Sequence, residues 1–195
     1  MIILASKSPR RREILSGLGV DFKIIVSDTD ETCNISDPVL YAEELARRKG
    51  QATFASLIES EGETAAREAV IISADTVVAQ GGEILGKPKD KDDAHRMLSM
   101  LSGNTHSVIT GIGVTSGGTT HVSHSLTRVS VAPIPEAEII KYIESGDPMD
   151  KAGAYGIQGD FSRWVRGIDG CYFGVVGLPV NALNDLFFKV TGKYL

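Results

Sequence analysis

Three places in this chain hold charged side chains that packing alone does not explain. The first is Pro9-Arg10-Arg11-Arg12. Ser8 and Pro9 begin a helix expected to run to about Leu18, with serine as cap and proline at the first helical position. At about 100° per residue, Ile14, Leu15 and Leu18 form its apolar face. Arg11 falls near the centre of that face, Arg10 on its flank, and Arg12 points well away. Cations at a helix N-terminus oppose the helix dipole. A bound phosphate or carboxylate would satisfy the free N–H groups, the dipole and the arginines together, whereas a structural salt bridge would use the arginines alone. The second place is Ser73-Ala74-Asp75-Thr76, which interrupts an apolar run at its middle. A buried carboxylate is costly unless paired or functional. Asp75 is therefore a metal ligand or general base facing a cleft, or an aspartate bonded to nearby backbone. The third is Lys49, on the helical stripe of Tyr41, Leu45, Ala52 and Ser56. It is either a snorkelling stem or a cation aimed into a cleft.

Two further segments bear on phosphates and bases. Gly81-Gly82-Glu83-Ile84-Leu85-Gly86-Lys87 matches the front of a P-loop, but Pro88 stands where Ser or Thr is needed. Proline supplies neither an N–H nor a hydroxyl for Mg²⁺, so a P-loop nucleotidase is excluded. Lys87 remains a phosphate cation on a rigid Gly-Lys-Pro turn. Asp150-Lys151-Ala152-Gly153-Ala154-Tyr155-Gly156-Ile157-Gln158-Gly159 reads either as a tight connection or as a loop touching a ligand. The Gln158 amide, donor and acceptor at once, suits a nucleobase edge. His121 and His124, three apart on a strand, point to opposite faces and cannot chelate. Neither a Ser-His-Asp nor a His-Glu-x-x-His arrangement is present, and Cys33 and Cys171 read as spectators.

These residues need elements to hold them. Periodicity predicts strands at Ile2–Ala5, Phe22–Val26 and Val70–Ala79, a turn at Gln80–Glu83 into Ile84-Leu85, and a hairpin of His106–Thr115 with His121–Val131. Helices are expected from Asp37-Pro38 to about Glu61, from the Asp90 cap to Leu101, from Ile134-Pro135 to about Glu144, and from Pro179 to Val190. Ser27–Ser36 reads as a loop. Ile157–Ile168 reads as irregular with a strand near its end, and Tyr172–Val176 as a strand. Strand–helix alternation beside a hairpin predicts a mixed sheet.

The 195 residues amount to one domain, or two small lobes around a cleft. With 42% hydrophobic and 23% charged residues, the chain is neither disordered nor a disulfide-built mini-protein. No apolar run is long enough to span a bilayer and no signal peptide is visible; with two cysteines, a reducing cytoplasmic setting is the default. A net charge of −5 argues against nucleic-acid binding. Yet the first 25 residues carry +3, leaving −8 for the rest, which suits a local site for a small anion.

Taken together, the segments resemble the Maf family of nucleoside triphosphate pyrophosphatases, also called septum-formation inhibitor proteins. The matching runs are Leu4-Ala5-Ser6-Lys7-Ser8-Pro9-Arg10-Arg11, Ser73 to Val78, Leu85-Gly86-Lys87-Pro88, Leu101-Ser102-Gly103, Asp150 to Gly159 and Val176-Gly177-Leu178-Pro179. The Asp150–Gly159 run and Ala74-Asp75-Thr76 are similar to the branch acting on dTTP and UTP. The resemblance implies an α/β fold with an elongated mixed sheet flanked by helices, and two lobes around a basic cleft. It places Ser6, Arg10, Arg11, Glu31, Lys49, Asp75, Lys87 and Gln158 in that cleft, with Asp75 catalytic and Arg10, Thr76 and Gln158 separating substrate branches. Two places depart from the family pattern: Gly50, where a better helix former is usual and a loosened helix is expected, and the bulkier Asp160–Trp164.

The implied reaction is hydrolysis between the α and β phosphates, giving a nucleoside monophosphate and pyrophosphate. Arg10, Arg11, Lys49 and Lys87 would neutralise the triphosphate. Mg²⁺ or Mn²⁺ would lie between phosphate oxygens and the carboxylates of Glu31 and Asp75. Two rivals stand beside this reading: a pyrophosphatase for damaged purine triphosphates, and a nucleotide-binding regulator of cell division without turnover. A homodimer is a family-level expectation only.

Overall fold

The computed structural model describes residues 1–195. Strand β1 (Ile2–Leu4) leads into helix α1 (Pro9–Gly17), then β2 (Phe22–Ile24), the long α2 (Pro38–Glu61) and the short α3 (Glu63–Glu68). Next come β3 (Val70–Gln80), β4 (Glu83–Leu85), α4 (Lys91–Leu101), and the hairpin β5 (Thr105–Ser116) and β6 (Thr119–Val131). Helix α5 (Glu136–Glu144), three 3₁₀ turns, β7 (Val165–Asp169), α6 (Tyr172–Val176) and α7 (Val180–Thr191) complete the chain. The sheet is mixed, in the order β2-β1-β3-β5-β6-β7, with β4 on β3. Strand β1 runs parallel to β2 and β3, and the remaining pairs are antiparallel. No helix is long and apolar enough to cross a membrane.

Local chemistry sets the helix starts. Ser8 Oγ accepts the Arg11 N–H, Asp37 accepts those of Val39 and Leu40, and Asp90 accepts that of Asp93. The apolar interior falls into separate clusters. One joins Leu85, Leu98, Val129, Tyr155 and Phe161. Another joins Leu4, Leu15, Ile72, Leu178 and Phe187. The two lie at opposite ends of the central strands, and the cleft opens between them.

Four expectations change. Tyr172–Val176 is a helix and not a strand. Its aromatic and β-branched residues favour extended backbone, but the Cys171 thiol caps the Gly174 N–H and the turn packs on β5 and β6. Leu18 is 45% exposed, because α1 ends at Gly17 before the apolar face is complete. Gly50 does not loosen α2, which is continuous through it. A Cβ there would stand 2.6 Å from Thr115 Oγ1 and 3.1 Å from Ser73 Oγ, so the glycine lets the helix lie directly on the sheet. Helix α3 lies where no element was expected. The bulky 160–164 stretch is a 3₁₀ turn that buries Phe161 in the core.

Candidate active site

The edge of β3 determines where chemistry can occur. One side of β3 pairs with β5 from Val70 to Ala79. The other side pairs with β1 at Val70–Ile72 and with β4 at Val78–Gln80, leaving Ser73–Val77 without a strand neighbour. The side chains of Asp75 and Thr76 point to opposite faces of the sheet, and both line the cavity that opens at this gap.

Arg11 fills part of the gap. Its Nη1 donates to Ala74 O at 2.9 Å, taking the place of the missing strand, and to Ser6 Oγ at 3.2 Å. Its Nε donates to Gly177 O at 2.8 Å and its Nη2 to Thr76 Oγ1 at 3.1 Å. Four of five guanidinium N–H groups are thus engaged by protein, with no carboxylate among the acceptors. Burial pulls the Arg11 pKa down, while Asp75 pulls it up. Ser6 is buried, and its Oγ also accepts the Ser8 N–H at 3.2 Å. With both lone pairs occupied, the Ser6 hydroxyl keeps its proton free as a donor at the cavity wall.

Helix α2 supplies the opposite wall. It presses on the sheet closely enough that a Cβ on Gly111 would stand 2.2 Å from Ala42 O. That approach brings Lys49 Nζ to 2.5 Å from Asp75 Oδ1 and 2.8 Å from Glu31 Oε1. The Lys49 ammonium, by hydrogen bonding, holds the Glu31 carboxyl below the usual carboxylate range. Two carboxylates therefore converge on one cation. No cluster of three His, Cys, Asp or Glu side chains could hold a metal ion unaided. Each carboxylate gives one oxygen to Lys49, and the pair is a donor set that would suit Mg²⁺ or Mn²⁺, since Mg²⁺ commonly binds through one or two carboxylates plus substrate.

The third wall is the 147–159 segment. Arg10 Nη1 lies 3.6 Å from Asp150 Oδ2, across the cleft. Lys151 Nζ contacts Asp150 Oδ1 at 2.7 Å and Asp147 Oδ1 at 3.0 Å. Tyr142 Oη donates to Asp147 Oδ2 at 2.6 Å and accepts the Gly156 N–H at 3.3 Å. Desolvation and the Asp147 contact together raise the Tyr142 pKa. Gly153 has a φ of +67°, and a Cβ there would meet Val78 at 2.8 Å, so the segment lies flat against β3. This geometry sets Gln158, exposed, at the mouth of the cavity.

All nine residues picked from the sequence, Ser6, Arg10, Arg11, Glu31, Lys49, Asp75, Thr76, Lys87 and Gln158, line this single cavity of about 990 Å³. Its other charged groups are Lys7, Lys151, Asp28, Asp147 and Asp150, so cations outnumber carboxylates by one in a chain of net −5. Sequence reading missed Asp147, Tyr142 and the Gly177 carbonyl. Tyr142, Asp147 and Lys151 are near neighbours at the end of α5, where regular periodicity stops, and the Gly177 carbonyl meets Arg11 only through the fold.

Known proteins similar to this chain identify its family. The Maf-like protein family matches residues 1–190. A dTTP/UTP pyrophosphatase of Alkaliphilus metalliredigens is 49% identical over 96% of this chain and 95% of its own length. One from Thermococcus kodakarensis is 45% identical over 99% of this chain and the whole of the relative. A third, from Chromobacterium violaceum, is 49% identical over 92% of this chain and 89% of the relative. With the match covering nearly every residue and relatives close to half identical over 89–100% of their length, the chain belongs to the Maf-like protein family.

Proposed function

We infer that this protein is a nucleoside triphosphate pyrophosphatase that hydrolyses dTTP and UTP between the α and β phosphates, removing them from the nucleotide pool. One observation carries the reading: a half-buried cation without a carboxylate contact, Arg11, faces a cavity also lined by the Lys49-bridged carboxylates Asp75 and Glu31. The relatives' activity on dTTP and UTP supports the choice of substrate. Arg11, Arg10, Lys87 and the Ser6 hydroxyl bind and orient the phosphates. Asp75 accepts a proton from the attacking water, and Lys49 keeps its carboxylate aimed into the cavity. Glu31 and Asp75 would hold Mg²⁺ or Mn²⁺, which neutralises phosphate charge when bound. Gln158 contacts the base edge, and Arg10 and Thr76 share in choosing the substrate.

The substrate comes from a cytoplasmic nucleotide pool, and neither nucleic acid nor membrane takes part. The test is a substrate panel read for both pyrophosphate and orthophosphate, with and without Mg²⁺ or Mn²⁺. Metal-dependent release of pyrophosphate from dTTP and UTP is expected. Orthophosphate release, or equal rates without metal, would overturn it.

A further inference from the structure

Thr110 lies outside the cavity lining, fully buried on β5, directly opposite Thr76 in the β3–β5 ladder. A single file of hydrogen bonds passes through it. Arg11 Nη2 is 3.1 Å from Thr76 Oγ1, Thr76 Oγ1 is 2.9 Å from Thr110 Oγ1, and Thr110 Oγ1 is 2.8 Å from Gly174 O. The protons in this file have no choice of direction. A guanidinium only donates and a carbonyl only accepts. Thr110 must give its one proton to Gly174 O, so it accepts from Thr76. Thr76 gives its one proton to Thr110 and turns a lone pair to Arg11. Each bond polarises the next.

The same short segment grips Arg11 a second time. Gly177, which ends α6, accepts from Arg11 Nε at 2.8 Å through its carbonyl. Its φ is +124°, and a Cβ there would stand 3.5 Å from Thr76 Oγ1 and 3.6 Å from Arg11 Nε. Helix α6, behind the sheet, thus reaches the guanidinium directly through Gly177 and indirectly through Thr110 and Thr76.

We propose that Thr110 is a positioning residue for Arg11, locking the Thr76 hydroxyl as an acceptor so that the guanidinium plane is fixed towards the substrate phosphates. It touches no substrate itself. Without its hydroxyl, the Thr76 proton loses its acceptor and can rotate against the Arg11 N–H, and the guanidinium loses one of its four anchors. The inference rests on the reading of Arg11 as a phosphate-binding cation.

The test compares Thr110→Val, which keeps the shape and removes the hydroxyl, with Thr110→Ser, which keeps the hydroxyl and loses a methyl. Steady-state kinetics on dTTP should show Thr110→Val lowering kcat/KM by about ten-fold, mainly through KM, as for loss of a binding contact. Thr110→Ser should stay within about two-fold of the parent despite its smaller volume. In an Arg11→Ala background, Thr110→Val should add no further loss. If Thr110→Val does not fold, Thr110→Ala set against Thr110→Ser makes the same comparison. Activity of Thr110→Val within two-fold of the parent would overturn the proposal. So would a loss in Thr110→Ser equal to that in Thr110→Val, or an undiminished Thr110→Val effect without Arg11. Should Arg11→Ala itself leave kcat/KM unchanged, the phosphate-binding reading falls and this inference with it.

Discussion

Asp75→Asn separates catalysis from folding at the centre of the cleft. The substitution keeps the side chain's shape on a strand paired with β5 from Val70 to Ala79. It removes the negative charge that meets Lys49 Nζ at 2.5 Å. Losing a general base lowers turnover by about 10²–10⁴-fold, or about 2.7–5.4 kcal/mol at 1.36 kcal/mol per decade. Stability follows a different argument. Seen from the sequence, an isolated buried carboxylate gains by neutralisation. In the structure its charge is already compensated by Lys49, whose side chain is only 18% exposed. The amide oxygen can still accept from the ammonium, and Glu31 stays 2.8 Å away, though more exposed and better screened. A loss of about 0–1 kcal/mol is expected, which for a chain of this size lowers Tm by no more than about 4 °C. Pyrophosphate release from saturating dTTP gives the first quantity, and thermal unfolding gives the second. A kcat within about ten-fold of the parent would refute the catalytic role. A Tm drop beyond about 10 °C would show instead that Asp75 holds the fold together.

Arg11→Ala should lower kcat/KM by roughly 10- to 150-fold, and it should also reduce stability by about 2 kcal/mol, because Ala74 O and Gly177 O lose their donor. Arg12→Ala, on an exposed side chain with no hydrogen-bond partner, should stay within about 0.5 kcal/mol; equal damage from the two in kinetics would refute the placement of the phosphates. His106 is buried beside Tyr155, and desolvation depresses its pKa to about 4. As pH falls from the ordinary value of 6.5, the unfolded chain takes up the proton first, so stability should decline between about 6.5 and 4. The decline should reach about 1.4 kcal/mol per pH unit at most, and His106→Gln should flatten it in denaturant titrations. Gly50→Ala should destabilise by about 1–3 kcal/mol despite better helix propensity, since its Cβ overlaps Thr115 Oγ1 at 2.6 Å; a raised Tm would show that α2 can lift from the sheet.

The features legible in the sequence were those with local causes. Ser8, Asp37 and Asp90 cap the helices they precede because each cap bonds backbone only two or three residues on. Arg11 and Asp75 stood out because a charge inside an apolar pattern is visible wherever the chain later folds. Tertiary structure decided what those charges meet. The acceptors around Arg11 include Ala74, Thr76 and Gly177, 63 to 166 residues away in sequence, and nothing in the local pattern distinguishes them from ordinary strand and turn residues. Thr110 has the composition of any buried β threonine, and only its register opposite Thr76 gives its hydroxyl a direction. Tyr172–Val176 followed its neighbours and not its propensity, because a thiol cap and close packing on β5 and β6 outweigh a weak preference for extended backbone. Gly50 shows the reverse case. Helix propensity marks it as a weak point, yet close contact between α2 and the sheet, which brings Lys49 to Asp75, requires a residue without a side chain at that position.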